Sequence, residues 1–330
     1  MEQHTGTAIV IGGSAGIGRA VVERLIGRGY RVGVMARGED RLREMEEEFG
    51  VEWVKGVSCD AAVDAEVQRA TDEIVAVFGV PSVWVNSAML TAYSPFRQMP
   101  PEEFDTIVGA TFTGQVNGAR AALRVMREGS LVCIGSGLSY RAIPLQSAYC
   151  AAKHAINGFA ESLRSELLHD KSPIALSLVQ LPAVNTPQFD WAKNRLDDHP
   201  QPAPPIYQPD VAARAVMKAI DGGNREILVG KPSLQLVFGD MLAPGLLDRI
   251  MARQGYDMMK ADDGQHHPSR GPNTFEPADY PSTAYGSFGD RAYDRGIAVD
   301  GDIARTVAFA APVILAVAAG AVGMALARRG

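Results

Sequence analysis

The sequence is short of cysteine, has no excess of positive charge and begins without an apolar leader. Its 330 residues include Cys59, Cys133 and Cys150, whose spacing fits neither a disulfide framework nor a metal site, so reduced thiols are expected. A formal net charge of -6 provides no basic field for nucleic acid. Because a basic, apolar N-terminal stretch is missing, no secretory signal is predicted, and the main folded part is expected in the cytoplasm.

A glycine-rich turn lies near the start of the chain. Residues 7–11 are a short apolar run that predicts a strand, and the apolar spacing over 19–28 predicts a helix. A strand, a glycine turn and a helix in this order let backbone N–H groups approach a phosphate, although a turn can also use glycine for its shape alone. The candidate cofactor-binding residues of this turn are Gly12, Ser14, Gly16, Ile17 and Gly18.

The second predicted strand, residues 31–36, ends without the acidic residue that binds the 2′-hydroxyl of NAD(H) in dinucleotide folds. Ala36 occupies the end of the strand, and Arg37 follows. A guanidinium can bind a 2′-phosphate, so the sequence predicts NADP(H) in preference to NAD(H). Arg41 either assists Arg37 or belongs to a solvated helix surface.

Polar residues also follow three later strands. Asp60 follows a strand over 51–57, and it either faces an adenine or caps the helix predicted over 61–78. Asn86 follows a fourth predicted strand over 82–85. Pro182 and Thr186 follow a strand over 175–181. The proline-rich residues 187–209 then occupy the place of a lid, in which Phe189, Trp191 and Tyr207 either line a substrate pocket or pack locally.

Ser136, Tyr149 and Lys153 have the layout of an active site. Residues 130–135 predict a buried strand that ends at Ser136, and a helix over 147–169 carries Tyr149 and Lys153 on one face. An ammonium beside a phenol lowers the pKa of the phenol, and a serine hydroxyl can hold a carbonyl oxygen beside it. The three groups could move a proton on or off an oxygen during hydride transfer, although a Tyr–Lys pair also occurs on ordinary helices.

Strands that alternate with helices predict parallel βαβ units over residues 1–232, and hence an α/β fold with a doubly wound parallel sheet and helices on both faces. A C-terminal helical extension is predicted over 233–261. Residues 262–304, rich in Gly, Pro, Asp and Ser, predict a flexible linker without a core.

The last segment, residues 305–330, predicts a transmembrane helix that anchors the chain. It contains 22 uncharged residues from 306 to 327, which is long enough to span a hydrocarbon core. The terminal Arg328 and Arg329 would have to cross the bilayer, so a helix lying on the membrane remains an alternative, as does a buried or dimer-packing helix.

Residues 5–230 resemble the classical short-chain dehydrogenases/reductases. The resemblance rests on the glycine turn, Asp60, the segment 86–88, Ser136, the Tyr149-x-x-x-Lys153 spacing and the segment from Pro182 to Thr186, in family order. It implies a Rossmann fold and hydride transfer between a nicotinamide and a carbonyl or alcohol. Tyr149 would act as acid or base, Lys153 would lower its pKa and bind the nicotinamide ribose, Ser136 would orient the substrate oxygen, and Thr186 would contact the carboxamide.

The sequence departs from the family pattern at its fourth catalytic position, an Asn, where Thr111 aligns. A threonine hydroxyl can also hold a water for a proton relay from the lysine. The leading hypothesis is therefore an NADP(H)-dependent oxidoreductase for a lipophilic carbonyl or alcohol, held on the cytoplasmic face of a membrane. The alternative is an NADP(H)-binding sensor or scaffold with little catalysis. A homo-oligomer is also expected from the resemblance.

Overall fold

The computed structural model of the chain describes residues 5–261 and 272–310. Short apolar runs rich in β-branched residues form its strands. The strands in chain order are β1 (Gly6–Ile11), β2 (Tyr30–Ala36), β3 (Val54–Ser58), β4 (Val83–Asn86), β5 (Ala92–Tyr93), β6 (Gly129–Ser136), β7 (Ile174–Leu181), β8 (Lys193–Asn194), β9 (Ile206–Tyr207), β10 (Glu226–Val229), β11 (Ala292–Tyr293) and β12 (Ala298–Asp300).

The helices connect these strands and extend the chain beyond the last parallel one. A further helix occupies residues 301–310. The others are α1 (Gly16–Ile26), α2 (Glu39–Phe49), α3 (Asp64–Phe78), α4 (Pro101–Val108), α5 (Gly114–Val125), α6 (Ser147–His169), α7 (Gln188–Trp191), α8 (Pro209–Gly222), α9 (Gly230–Leu242) and α10 (Pro244–Met258).

Eight of the strands form one sheet in the order β12-β10-β7-β6-β4-β1-β2-β3. All neighbours in it are parallel except β12, which pairs antiparallel with β10 at the edge. Helices α1, α2 and α8 pack apolar side chains against one face, and α3, α5 and α6 pack against the other. The predicted α/β fold with a doubly wound sheet is confirmed, with one antiparallel strand added.

The helical segment from Pro101 to Val125 is interrupted. Residues Gly109–Thr113 form a π-helical turn between α4 and α5. Within this turn the buried Thr111 hydroxyl donates to the Leu90 carbonyl and accepts from the Leu90 N–H, both at 3.0 Å. Such a turn widens the helix locally, and it is often found near functional sites.

The described part of the predicted linker differs from that prediction. Residues 272–304 contain β11 and β12, and they bury Thr274, Ala278, Ala284 and Phe288 against the body of the protein. Composition indicates only that a segment cannot build a core of its own, whereas this segment is fixed by contacts with another part of the chain. We call residues 272–288 the strap.

The predicted membrane segment lies mostly outside the described residues, since only 305–310 of it are described, within the 301–310 helix. Across residues 5–261 and 272–310, no helix combines the length and the hydropathy needed to cross a membrane. The transmembrane helix therefore stays a prediction.

Candidate active site

The glycine turn forms a backbone cradle at the start of α1. Gly12 has a φ of +77°, and a Cβ there would lie 2.5 Å from the backbone nitrogen of Ala88. A Cβ on Gly18 would lie 2.1 Å from the Gly12 carbonyl oxygen. Only glycine fits these two positions, and the N-terminus of α1 then faces the cavity with backbone N–H groups, which favour an anion such as a pyrophosphate.

A cavity of about 410 Å³ runs from this cradle along the carboxyl ends of the parallel strands. It brings together all but two of the residues that the sequence assigns to catalysis or cofactor binding. Those in its wall are Gly12, Ser14, Gly16, Ile17, Gly18, Arg37, Asp60, Ser136, Tyr149, Lys153, Pro182 and Thr186.

The two exceptions, Asn86 and Thr111, lie behind the wall. The Asn86 side chain accepts a hydrogen bond from the Trp84 indole at 2.9 Å and donates to the Gln115 carbonyl at 3.3 Å, so it ties β4 to α5 and is 1% exposed. The Thr111 hydroxyl is bonded to both backbone groups of Leu90, and the neighbouring Ala110 lines the cavity instead. The structure therefore does not bring these two side chains to the site, because a sequence position fixes the strand or helix but not the local turn of the backbone.

Ser136 lies at the carboxyl end of β6 and shares the cavity wall with Tyr149. Burial raises the pKa of Tyr149 above its ordinary value, and the Ser136 hydroxyl partly opposes this rise. The sequence predicts the reverse, a pKa lowered by Lys153. The difference arises because desolvation of the phenolate outweighs the nearby partners at this buried position. A protonated phenol in the cavity wall can act as a proton donor.

Lys153 lies one helical turn after Tyr149 on α6 and is 2% exposed. Its Nζ donates to the Ile134 carbonyl at 2.7 Å and lies 5.5 Å from the centroid of the Tyr149 ring. Burial lowers the pKa of Lys153 to about 7, because an ammonium is poorly solvated there. The amine therefore loses its proton more readily than an exposed lysine does.

Sequence reasoning missed Gln115 on α5. Its Nε2 donates to the Ile134 carbonyl at 2.9 Å, the same oxygen that accepts from Lys153. The side chain is 1% exposed, and its Oε1 is buried without a partner among the described residues. Gln115 follows Thr111 by four residues, so the helical repeat would have placed it on the same face as the aligned catalytic position.

One end of the cavity contains Arg37 and Arg41, and we call it the adenosine end. The strap covers this end. The Arg37 guanidinium donates to the backbone carbonyls of residues 273, 274 and 275, and Arg41 donates to that of Ala278 at 2.6 Å. The Gly16 N–H donates to the Thr283 carbonyl at 2.9 Å. Arg41 also lies 5.4 Å from the Trp191 ring centroid, so it is not the solvated surface residue that the sequence allows. Asp60 accepts from the Ala62 N–H in the turn before α3, which begins at Asp64 rather than at residue 61.

The opposite end of the cavity is apolar. The predicted lid residue Phe189 lines it, whereas Trp191 lines the cavity beside Arg41 and Tyr207 packs in the core. Helices α9 and α10 supply a wall that the sequence does not indicate. Its apolar residues are Leu236, Met251, Met258 and Met259.

Comparison with known proteins agrees with this geometry. A family model described as short chain dehydrogenase matches residues 6–195, more than half of the chain. An uncharacterized oxidoreductase of Bacillus subtilis, YxnA, is 28% identical over 264 residues, covering 77% of this chain and 73% of the relative. A cis-2,3-dihydrobiphenyl-2,3-diol dehydrogenase of Pseudomonas is 32% identical over 174 residues, covering 51% and 63% respectively.

A solved structure also resembles the chain. It is that of a short chain dehydrogenase/reductase from Burkholderia phymatum in complex with NAD. The TM-score is 0.65 at 19% sequence identity, and the match covers 76% of this chain and 96% of the other. At this identity the likeness establishes a shared fold.

Proposed function

The chain belongs to the short chain dehydrogenase family and is an oxidoreductase, and from that premise we propose that it transfers a hydride between NADP(H) and a lipophilic carbonyl or alcohol. The observation that carries the proposal is the meeting of Ser136, Tyr149 and Lys153 in the wall of the cavity that also contains the glycine cradle. A site with both an oxygen-binding pair of hydroxyls and an anion-binding cradle suits this chemistry.

Within this proposal each side chain has one task. The Ser136 hydroxyl holds the substrate oxygen, and the Tyr149 hydroxyl gives that oxygen a proton during reduction. The raised pKa of Tyr149 keeps the phenol protonated at neutral pH, which is the form that can give a proton to a carbonyl oxygen. Lys153 lies one helical turn from Tyr149, with its Nζ 5.5 Å from the centroid of the Tyr149 ring. When protonated, it supplies positive charge beside the phenol. A bound nicotinamide would supply the hydride.

The residues at the adenosine end support NADP(H). Arg37 and Arg41 both line the cavity, and the hydrogen bonds of Arg37 to the strap go to neutral carbonyl oxygens. β2 ends at Ala36 and Arg37 follows, so the position that carries an acidic residue in NAD(H)-binding folds holds no carboxylate to repel a 2′-phosphate. The two glycine positions that exclude a Cβ let the turn pack tightly against its own backbone, as the phosphate-binding turn of a dinucleotide fold requires.

The apolar end supports a lipophilic substrate. Methionine side chains adapt to varied apolar shapes, and three of them line the cavity beside Leu236 and Phe189. Placement of the site at the cytoplasmic face of a membrane, through residues 305–330, belongs to the same proposal, as does assembly into a homo-oligomer. A binding protein without catalysis is not favoured, because Ser136, Tyr149 and Lys153 meet in one cavity.

The test is a titration of the full-length, detergent-solubilised protein with NADPH and NADH, followed by lipophilic ketones, aldehydes and alcohols. We expect tighter binding of NADPH and turnover of at least one carbonyl, measured as loss of nicotinamide absorbance. Binding without turnover across the panel would contradict the proposed substrate class. Failure to bind either nucleotide would overturn the proposed function.

A further inference from the structure

A buried carboxylate that the proposed chemistry does not use lies on β10. Glu226 is 1% exposed, and its Oε1 accepts hydrogen bonds from the Tyr140 hydroxyl and from Gln180 Nε2, the latter at 2.9 Å. Its Oε2 lies 2.6 Å from Nη1 of Arg305, on the 301–310 helix. Burying a carboxylate at this depth is costly without a cationic partner, and Arg305 is the partner that Glu226 has here.

Gln180, on the neighbouring strand β7, links Glu226 to the active site through hydrogen bonds. Its Oε1 accepts from the Ser136 N–H at 2.8 Å, and its Nε2 donates both to Glu226 and to Asn157 Oδ1 on α6, at 2.9 Å each. The amide can only be oriented this way, because the Ser136 N–H must donate and the Glu226 carboxylate must accept. Gln180 thus ties the strand of Ser136 to the helix of Tyr149 and Lys153.

Glycines at both ends of this chain of contacts make it possible. A Cβ on Gly135 would lie 2.2 Å from Gln180 Oε1. A Cβ on Gly301 would lie 2.6 Å from Glu226 Oε2 and 2.9 Å from Arg305 Nη1. The polar groups therefore meet only because these two positions carry no side chain.

We propose that Arg305 is a positioning residue for the active site, acting through Glu226 and Gln180 on Ser136. This rests on the proposed function only in the role given to Ser136. Loss of Arg305 leaves the Glu226 charge buried and unpaired, so Glu226 must draw in water or repack around Gln180. Either response weakens the Gln180 hydrogen bonds to the Ser136 N–H and to Asn157 on α6. Displacements of about 1 Å at a reacting group can slow turnover about a hundredfold.

The experiment compares Arg305→Ala with Arg225→Ala in the full-length protein. Arg225 is a matched control, because its Nε pairs with Asp302 Oδ1 at 2.8 Å on the same 301–310 helix. Although Arg225 precedes Glu226 in sequence, its guanidinium forms no ion pair with the Glu226 carboxylate among the described residues. Two readouts are used: steady-state turnover of a carbonyl with NADPH, and hydrogen exchange of the Ser136 amide, which reports the last bond of the chain without any substrate.

We expect Arg305→Ala to lower kcat about tenfold or more, with NADPH affinity unchanged and faster exchange at Ser136. Arg225→Ala should leave kcat and Ser136 exchange within twofold of wild type, and Arg305→Lys should restore much of both. Equal effects of the two alanine variants would mean that Arg305 only fixes the 301–310 helix to the protein, and would overturn the proposal. Wild-type kcat and Ser136 exchange in Arg305→Ala would overturn it as well.

Two provisions keep the outcome decisive. If Arg305→Ala does not fold, Glu226→Gln removes the charge but keeps an acceptor for Gln180, and it should exchange at Ser136 like wild type. Loss of protection in that variant would contradict the assigned contacts. If wild type turns over no carbonyl, the proposed function fails, while Ser136 exchange in Arg305→Ala and Arg225→Ala still decides the role of Arg305.

Discussion

The two ends of the cavity are built by different means. At the catalytic end, Ser136, Tyr149 and Lys153 come from β6 and α6, and their side chains carry the proposed chemistry. At the adenosine end, the Arg37 and Arg41 side chains are held by backbone carbonyls of the strap, more than 230 residues further along the chain. The catalytic end depends on three side chains that are close together in sequence. The adenosine end depends on how the distant strap lies across Arg37 and Arg41.

This difference separates turnover from cofactor affinity. Changes at the catalytic end should alter the rate of the proposed reaction and leave cofactor binding intact. Changes at the adenosine end should do the reverse, because no strap residue donates to Ser136, Tyr149 or Lys153 among the hydrogen bonds of the described residues.

The largest effect is expected for Tyr149→Phe. Removal of the hydroxyl takes away the proton donor, so turnover should fall about a hundredfold to ten-thousandfold. The NADPH dissociation constant, measured by nicotinamide fluorescence, should stay within twofold of wild type. Tyr30→Phe removes a hydroxyl on β2 outside the cavity and serves as the control. Full activity of Tyr149→Phe would refute the catalytic assignment.

Arg37→Ala tests the other end. Charged hydrogen bonds contribute about 1.5–3 kcal/mol, so NADPH affinity should fall about 10- to 100-fold while NADH affinity changes little. At saturating NADPH, kcat should be retained. Arg43→Ala removes a neighbouring exposed arginine of α2 and should have no such effect. Equal losses for both nucleotides would mean that Arg37 acts only by fixing the strap.

Lys153→Met tests how the buried amine of Lys153 changes the pH dependence of the free energy of unfolding. Because the pKa of Lys153 is lowered from 10.5 to about 7, the unfolded chain binds one more proton than the folded chain between these values. The free energy of unfolding should therefore rise with pH above about 7, by at most about 1.4 kcal/mol per unit from this group.

The measurement is denaturant unfolding of wild type and variant from pH 7 to 9, and the quantity compared is the difference between their slopes. Lys153→Met should lack this part of the rise. Lys231→Met, at an exposed position, should follow wild type. Identical slopes for wild type and Lys153→Met would show that Lys153 keeps its ordinary pKa.

The smallest effect is expected for Ser282→Ala in the strap. The Ser282 hydroxyl donates to the Ser14 carbonyl at 2.9 Å and accepts from Arg19 at 2.7 Å. Loss of these bonds, about 0.5–1.5 kcal/mol each, should speed NADPH release a few-fold in stopped-flow fluorescence, with kcat unchanged. Thr283→Ala removes a hydroxyl that contacts only Tyr285 within the strap, and it should release NADPH like wild type.

The body of the fold and the catalytic end were predictable from sequence because their signals are local. Apolar runs fix the strands, and the spacing of Gly12, Gly16 and Gly18 and of Tyr149 and Lys153 lies within one turn or one helix. Side-chain orientation at Asn86 and Thr111 was not predictable, since it depends on a π-helical turn and on burial against other elements.

The strap was not predictable for a different reason. Its contacts with Arg37 and Gly16 use backbone carbonyls, which every residue carries and no composition reveals. The raised pKa of Tyr149 likewise comes from burial by several elements rather than from the neighbouring Lys153. Sequence patterns therefore locate the reacting groups better than they describe the surroundings of those groups.

The edge strand β12 has a consequence for the newly made chain. It covers the outer edge of β10 with three residues, although Val229 and Ala298 are 69 residues apart in sequence (298 − 229). At about 5–20 residues per second, synthesis leaves that edge open for roughly 3–14 seconds. Unpaired strand edges invite pairing with other chains, so the nascent protein passes through a period in which it is most exposed to aggregation and most in need of a chaperone.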